Sequence, residues 1–150
     1  LTGDLPMIPR DWMLSFDHAE DIAQDHLLAM EKGTPGEEYI LASEPRTMEE
    51  VFSCAEDITG IPAPRVVPDW FLGGLATVMR GIEKVATPPE GLEAEMMEFF
   101  AGRQYDADNS KAKRELGIDH RTLKEGLRDY LAWEADQLGM QLDIKRKATQ

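Results

Sequence analysis

Residues 103–133, RQYDADNSKAKRELGIDHRTLKEGLRDYLAW, decide how the rest of the chain is read. The stretch opens with a short β-like run. Asp108 is a helix-capping type of residue, and it predicts a short helix over residues 109–116 with Gly117 as a left-handed stop. Thr122 and Glu125 stand three apart before an apolar run, the spacing of a capping box in which each side chain satisfies the other's free amide. Behind that box Leu123, Leu127, Tyr130, Leu131 and Leu138 recur at helical spacing on one face, and Gly139 ends the pattern.

Outward from this stretch the chain alternates helical and extended signals. Residues 1–10 hold Pro6 and Pro9 and read as loop. Residues 12–16 read as a short strand. A helix follows with Ala19, Ile22, Ala23, Leu27 and Met30 as its apolar face, acids in its first turn and Gly33 after its end. Tyr39, Ile40 and Leu41 form a compact strand candidate. Thr47 and Glu50 make a second capping box, opening a helix with Met48, Val51, Phe52, Ala55 and Ile58 on one side and Gly60 at its end. Three prolines in residues 61–68 predict an extended connector rather than a central strand. Asp69 is the expected cap of the next helix, with Leu72, Leu75, Ala76, Met79, Ile82 and Val85 inward. Gly73 and Gly74 lie inside it, so close packing, a ligand or simple tolerance has to account for them. Thr87 and Glu90 make a third box, before a helix with a Leu92, Met96, Phe99 and Phe100 stripe. Residues 140–150 form a polar tail. The fold class is therefore α/β and helix-dominated, one domain over residues 1–150, with too few strands for a complete nucleotide-binding sheet.

Composition bounds the function. The chain has 150 residues with 29 Asp and Glu against 16 Lys and Arg, a net charge of −13. Such a field repels phosphate backbones and excludes nucleic acid as a partner. It fits ordinary solubility and adaptation to high salt equally well. The longest apolar run is far short of the roughly 20 residues of a membrane span. Cys54 is the single cysteine, so an internal disulfide is excluded and a reducing, cytoplasmic setting is expected.

The string Tyr105, Asp106, Asp108, Ser110, Lys111, Ala112, Glu115, Leu116, Gly117, then Leu123, Glu125, Gly126, Leu127, Arg128 and a late Trp133, resembles the C-terminal end of the extended short-chain dehydrogenase/reductases, the NAD-dependent epimerase/dehydratase group and its reductase relatives. Residues 16–23, FDHAEDIA, resemble that family's Phe-Val-His-Val-x-Asp-Val-Ala segment. The resemblance implies the C-terminal, substrate-side lobe of such an enzyme, with a hydride-transfer reaction and NAD or NADP in the parent protein. It also implies an N-terminal Rossmann part as partner and a small-molecule substrate, a nucleotide-sugar or a hydrophobic carbonyl or hydroxyl compound. Leu14 stands where sugar-nucleotide members usually carry an arginine, which favours the reductase-type relatives; Asp17 stands where the family has an apolar strand residue. The chain itself has no Gly-rich dinucleotide loop and no Tyr-x-x-x-Lys pair, so no catalytic, cofactor or metal residue is expected within it. The competing class is a non-enzymatic helical interaction domain derived from the same lobe.

Five residues are candidates for contact with substrate. His18 and Asp21 are the best-matched polar pair; the plainer reading is a helix cap and local packing. Together with Asp25 and His26 they recur at helical spacings, a weak metal pattern without Cys or a paired His motif. Arg65, Trp70 and Arg103 follow a connector or end a helix, where a lobe meets its ligand. An arginine clamps anions and a tryptophan walls apolar pockets, against a plainer reading of surface pairing and core packing.

Overall fold

The computed structural model describes residues 5, 7–83, 104–142 and 144. Its elements are β1 (Met7–Pro9), β2 (Met13–Ser15), α1 (Ala19–Lys32), β3 (Pro45–Thr47), α2 (Met48–Thr59), β4 (Arg65–Val67), α3 (Asp69–Ile82), α4 (Ser110–Glu115) and α5 (Leu123–Gln137). Helices carry the mass. The described strands form two separate two-stranded sheets, β1 parallel to β4 and β2 antiparallel to β3.

Both capping boxes within the described residues form. Thr47 Oγ1 accepts from Glu50 N at 3.2 Å while Glu50 Oε2 accepts from Thr47 N at 2.9 Å. Thr122 and Glu125 do the same at 3.3 and 3.0 Å. Gly60 and Gly117 close their helices at φ 73° and 75°, a left-handed conformation that a Cβ would strain. Met48 and Val51 on α2 are buried, as are Leu131, Ala132 and Ala135 on α5, and the two helices pack together. Apolar burial of this kind is the main term holding such a pair.

Several expectations are corrected. Met7–Pro9 and Arg65–Val67 are not loop and connector: they pair in register Met7 to Arg65, Ile8 to Val66 and Pro9 to Val67. In a two-stranded sheet each strand is an edge, so flanking prolines are tolerated. Tyr39, Ile40 and Leu41 are not a strand; the strand lies further on, where Pro45, Arg46 and Thr47 pair with Ser15, Leu14 and Met13. Tyr39 and Leu41 instead pack with Leu28 and Ala29 of α1 around Ala112, Leu116 and Ile118. The helix of residues 109–116 is one residue shorter at each end. Asp108 Oδ1 accepts from Ser110 N at 2.9 Å, although Asn109 holds the cap position. The N-cap of α3 is Pro68, with Asp69 as its first residue. Among the described residues no atom lies within 4 Å of a Cβ built on Gly73 or Gly74, so no described neighbour requires glycine there.

The inward face of α1 also differs from its apolar pattern. Leu27 and Met30 are 49% and 76% exposed, whereas Asp25 is buried. The helix turns Asp21 and Asp25 inward because Arg121 and His120, from the far end of the chain, hydrogen-bond to them there. The third capping box, the stripe at Phe99 and Phe100 and the polar tail's basic residues lie outside the described residues.

Candidate functional site

Two facts of local chemistry build the site. Asp21 and Asp25 are one helical turn apart on α1 and so share a face. His120 and Arg121 sit directly before the α5 capping box, which fixes their backbone. The two pairs meet. Arg121 Nε donates to both Asp21 oxygens at 3.0 Å, Nη2 donates to Oδ1 at 2.7 Å, and the Arg121 amide donates to Oδ2 at 3.1 Å. Glu20 and Asp129 complete the guanidinium's surroundings at 3.0 and 3.5 Å. Burial alone would raise the Asp21 carboxyl, but the Arg121 hydrogen bonds and charge outweigh it and hold the carboxyl below its usual range. Hydrogen bonding to Asp21 raises Arg121 in turn, against the effect of burial. Beside this pair, His120 Nε2 donates to Asp25 Oδ2 at 2.5 Å, with side chains only 9% and 2% exposed.

Phe16 and Asp17 leave β2 and run alongside Ser43. Asp17 Oδ1 accepts from Ser43 N at 2.5 Å and Ser43 Oγ donates to the Phe16 carbonyl at 2.9 Å. Asp17 is therefore exposed just past the strand, and the β2–β3 register is intact despite it. Asn109, also buried, donates to the Ala42 carbonyl at 2.6 Å and fixes the loop before β3.

These elements enclose two cavities. The larger, about 810 Å³, lies between α2 and α5. Its walls are largely apolar, including Met48, Val51, Phe52, Ala55, Leu127, Leu131 and Trp133, and its polar groups gather at His18, Asp21, His120, Arg121 and Asp129. The smaller, about 230 Å³, is of mixed character, with Arg46, Lys113 and Asp119 in its lining. Phe16, Ser43, His120, Arg121, Thr122 and Leu123 border both. Lys113 is paired with Glu44 at the rim.

Of the five sequence candidates, His18 and Asp21 line the larger cavity. His18 is the N-cap of α1, its Nδ1 accepting from Glu20 N at 3.3 Å, and Asp21 lies in the first turn. Arg65 on β4 and Trp70 at the start of α3 are exposed, Trp70 by 77%, and neither borders either cavity. Arg103 lies outside the described residues. The metal pattern is dispersed: Asp21 and Asp25 are taken by Arg121 and His120, and His26 Nδ1 donates to the Ile22 carbonyl at 2.7 Å. His120 and Arg121 are the residues that sequence reading passed over, and Asp25 was considered only within a weak metal pattern. The signal was there in part, as two acids a turn apart and a His-Arg pair against a capping box, but nothing in the sequence places those 95 to 100 intervening residues so that they meet.

The left-handed glycines among the described residues build no dinucleotide phosphate loop: Gly60, Gly117 and Gly139 end helices and Gly36 sits in a turn. The N-termini of α2 and α5 are closed by the carboxylates of Glu50 and Glu125.

No family model matches the chain. It is 32% identical over 130 residues to a dihydroflavonol 4-reductase-like protein of Synechocystis, covering 80% of this chain and 36% of that protein. It is 29% identical over 117 residues to sterol demethylase protein B of Methylococcus capsulatus, covering 75% and 35%. The chain thus spans about a third of the length of these curated relatives. Among solved structures, gox2253 matches at a TM-score of 0.72 and a nucleoside-diphosphate-sugar epimerase from Pseudomonas aeruginosa at 0.69. Each is 25% identical and covers 93% of this chain, which matches 42% and 40% of theirs. Motif order, helix-dominated fold and these relatives agree: the chain is a portion of an extended short-chain dehydrogenase/reductase of the NAD-dependent epimerase/dehydratase type.

Proposed function

We propose that this chain is the substrate-side part of an NAD(P)-dependent reductase or epimerase/dehydratase, and that the cavity between α2 and α5 receives the apolar ring body of a carbonyl or hydroxyl compound. The observation that carries this is the 810 Å³ cavity itself, largely apolar in its lining, with Arg121, Asp21 and Asp129 clustered as an ion-paired polar group in its wall. That is the usual form of a small-molecule site: hydrophobic walls supply affinity and a few polar groups fix orientation. A nucleotide-sugar is the poorer fit. The one guanidinium that the larger cavity's lining offers, Arg121, is already held by Asp21 and Glu20, and the net charge of −13 opposes a diphosphate. The names of the curated relatives, a flavonoid-type reductase and a sterol-modifying protein, point the same way.

In this reading the nicotinamide cofactor belongs to a nucleotide-binding part beyond these residues. Leu27 and Met30 on α1 suit a face for that part to cover. His18 and Asp21, which line the cavity, are proposed here as substrate contacts; Arg65, Trp70 and Arg103 stay proposals that neither cavity supports. Isothermal calorimetry of the chain tests the assignment. Flavanone, a three-ring ketone, is expected to bind, and UDP-glucose, NAD and NADP are not. Tighter binding of UDP-glucose than of flavanone would overturn the substrate class, and micromolar NAD or NADP affinity would overturn the division of labour.

A further inference from the structure

His120 is placed for more than a structural role. Its ring is nine-tenths buried, yet it borders both cavities at their junction. Nε2 is committed to Asp25. Nδ1 has no partner among the described residues, and a buried polar atom without one costs free energy until a ligand or water meets it. Around the same junction the other polar groups are spoken for: Ser43 Oγ bonds the Phe16 carbonyl, Thr122 Oγ1 serves the capping box and Arg121 serves Asp21. Among the residues that border both cavities, Nδ1 is thus the side-chain polar atom with no described partner.

We propose that His120 is the specificity-determining contact for the oxygen of an otherwise apolar ligand, and that Asp25 is the positioning residue that holds the imidazole toward it. The proposal rests on the reading that the larger cavity binds apolar ring compounds. With Nε2–H donated to Asp25, a neutral ring presents Nδ1 as an acceptor and a protonated ring presents Nδ1–H as a donor. A hydroxyl both donates and accepts, so a secondary alcohol meets either form. This matches the class of compound that a reductase produces and an oxidation consumes.

The probes are flavan-4-ol and flavan, which differ by that one hydroxyl. Calorimetry of the wild-type chain is expected to show flavan-4-ol bound roughly tenfold more tightly than flavan, the discrimination of one buried hydrogen bond. His120→Phe is expected to bring the ratio of the two affinities near one. Asp25→Asn, which keeps an oxygen for Nε2–H, is expected to retain the ratio, and Asp25→Leu to lose it. Equal affinities in the wild type, or a ratio that survives His120→Phe, overturn the role of His120. A ratio kept in Asp25→Leu or lost in Asp25→Asn overturns that of Asp25. Failure of flavan itself to bind removes the cavity reading instead, and this proposal with it. Should a variant not fold, ¹⁵N NMR of the wild-type imidazole decides. Its Nδ1 resonance is expected to move with flavan-4-ol and not with flavan; the same response to both, or none, contradicts the proposal.

Discussion

At the scale of single residues, the two ends of the chain are joined by side chains that look ordinary in sequence. Asp21 reads as a helix-start acid and Arg121 as a solvated base, yet together they make several charge-assisted bonds, one of them to the Arg121 backbone. Removing Asp21 strips Arg121 of its main hydrogen-bond partner and leaves Glu20 and Asp129 as its remaining carboxylates. Asp21→Asn is therefore expected to cost about 1–3 kcal/mol near neutral pH, the range for hydrogen bonds to charged groups. The sign with pH follows from the direction of the shift. The Asp21 carboxyl is held below its ordinary value of 3.8 in the folded protein, so its stabilisation is complete above that value. It is lost as pH falls through the lower folded value. Urea melts of wild type and Asp21→Asn are expected to differ most at pH 6–7 and to converge in strong acid; a difference that grows toward acid would contradict the pairing.

At the scale of elements, the caps were legible and the faces were less so. Thr47 with Glu50, Thr122 with Glu125, Gly60 and Gly117 each act through backbone groups within a few residues, so local sequence suffices to place them. The inward face of α1 was not legible, because Asp25 turns inward for His120, 95 residues away, while Leu27 and Met30 turn out. The three-residue strands β1 and β4 were missed for a similar reason: too short for a period, they exist only through each other. On α5 the stripe holds for Leu131 but not for Tyr130 and Leu138, which are 53% and 45% exposed, and Arg128 is half-buried rather than outward. The structure shows α5 packed on α2, while the expected contact with Phe99 and Phe100 lies outside the described residues. Leu131→Ala is thus expected to cost about 2–5 kcal/mol through lost transfer energy and a new cavity. Leu127 already borders open space, and Leu127→Ala is expected to cost less, about 1–2 kcal/mol. Denaturant midpoints of the two variants check the order, and a larger loss at Leu127 would mean that the cavity is closed in solution.

At the scale of the whole molecule, the family and the helix-dominated architecture were legible because the order of motifs along the chain survives: the FDHAEDIA segment, two capping boxes and the helix pair from Ser110 to Gln137. The two cavities were not legible, since each is lined by residues from segments far apart in the chain, Phe16 and Ser43 with His120 to Leu123 in both, and no single segment carries their outline. No helix among the described residues is long and apolar enough to cross a membrane. The chain spans about a third of the length of its curated relatives, and in the proposed division of labour it shapes the substrate cavity while hydride transfer belongs to the parent protein. The central claim is that the α2–α5 cavity is where substrate is received, and a chemical-shift map of the ¹⁵N-labelled chain titrated with flavanone tests it most directly. The account predicts amide shifts concentrated at Val51, Ala55, Leu127 and Leu131; shifts centred on Arg65 and Trp70, with the cavity walls unmoved, would contradict it.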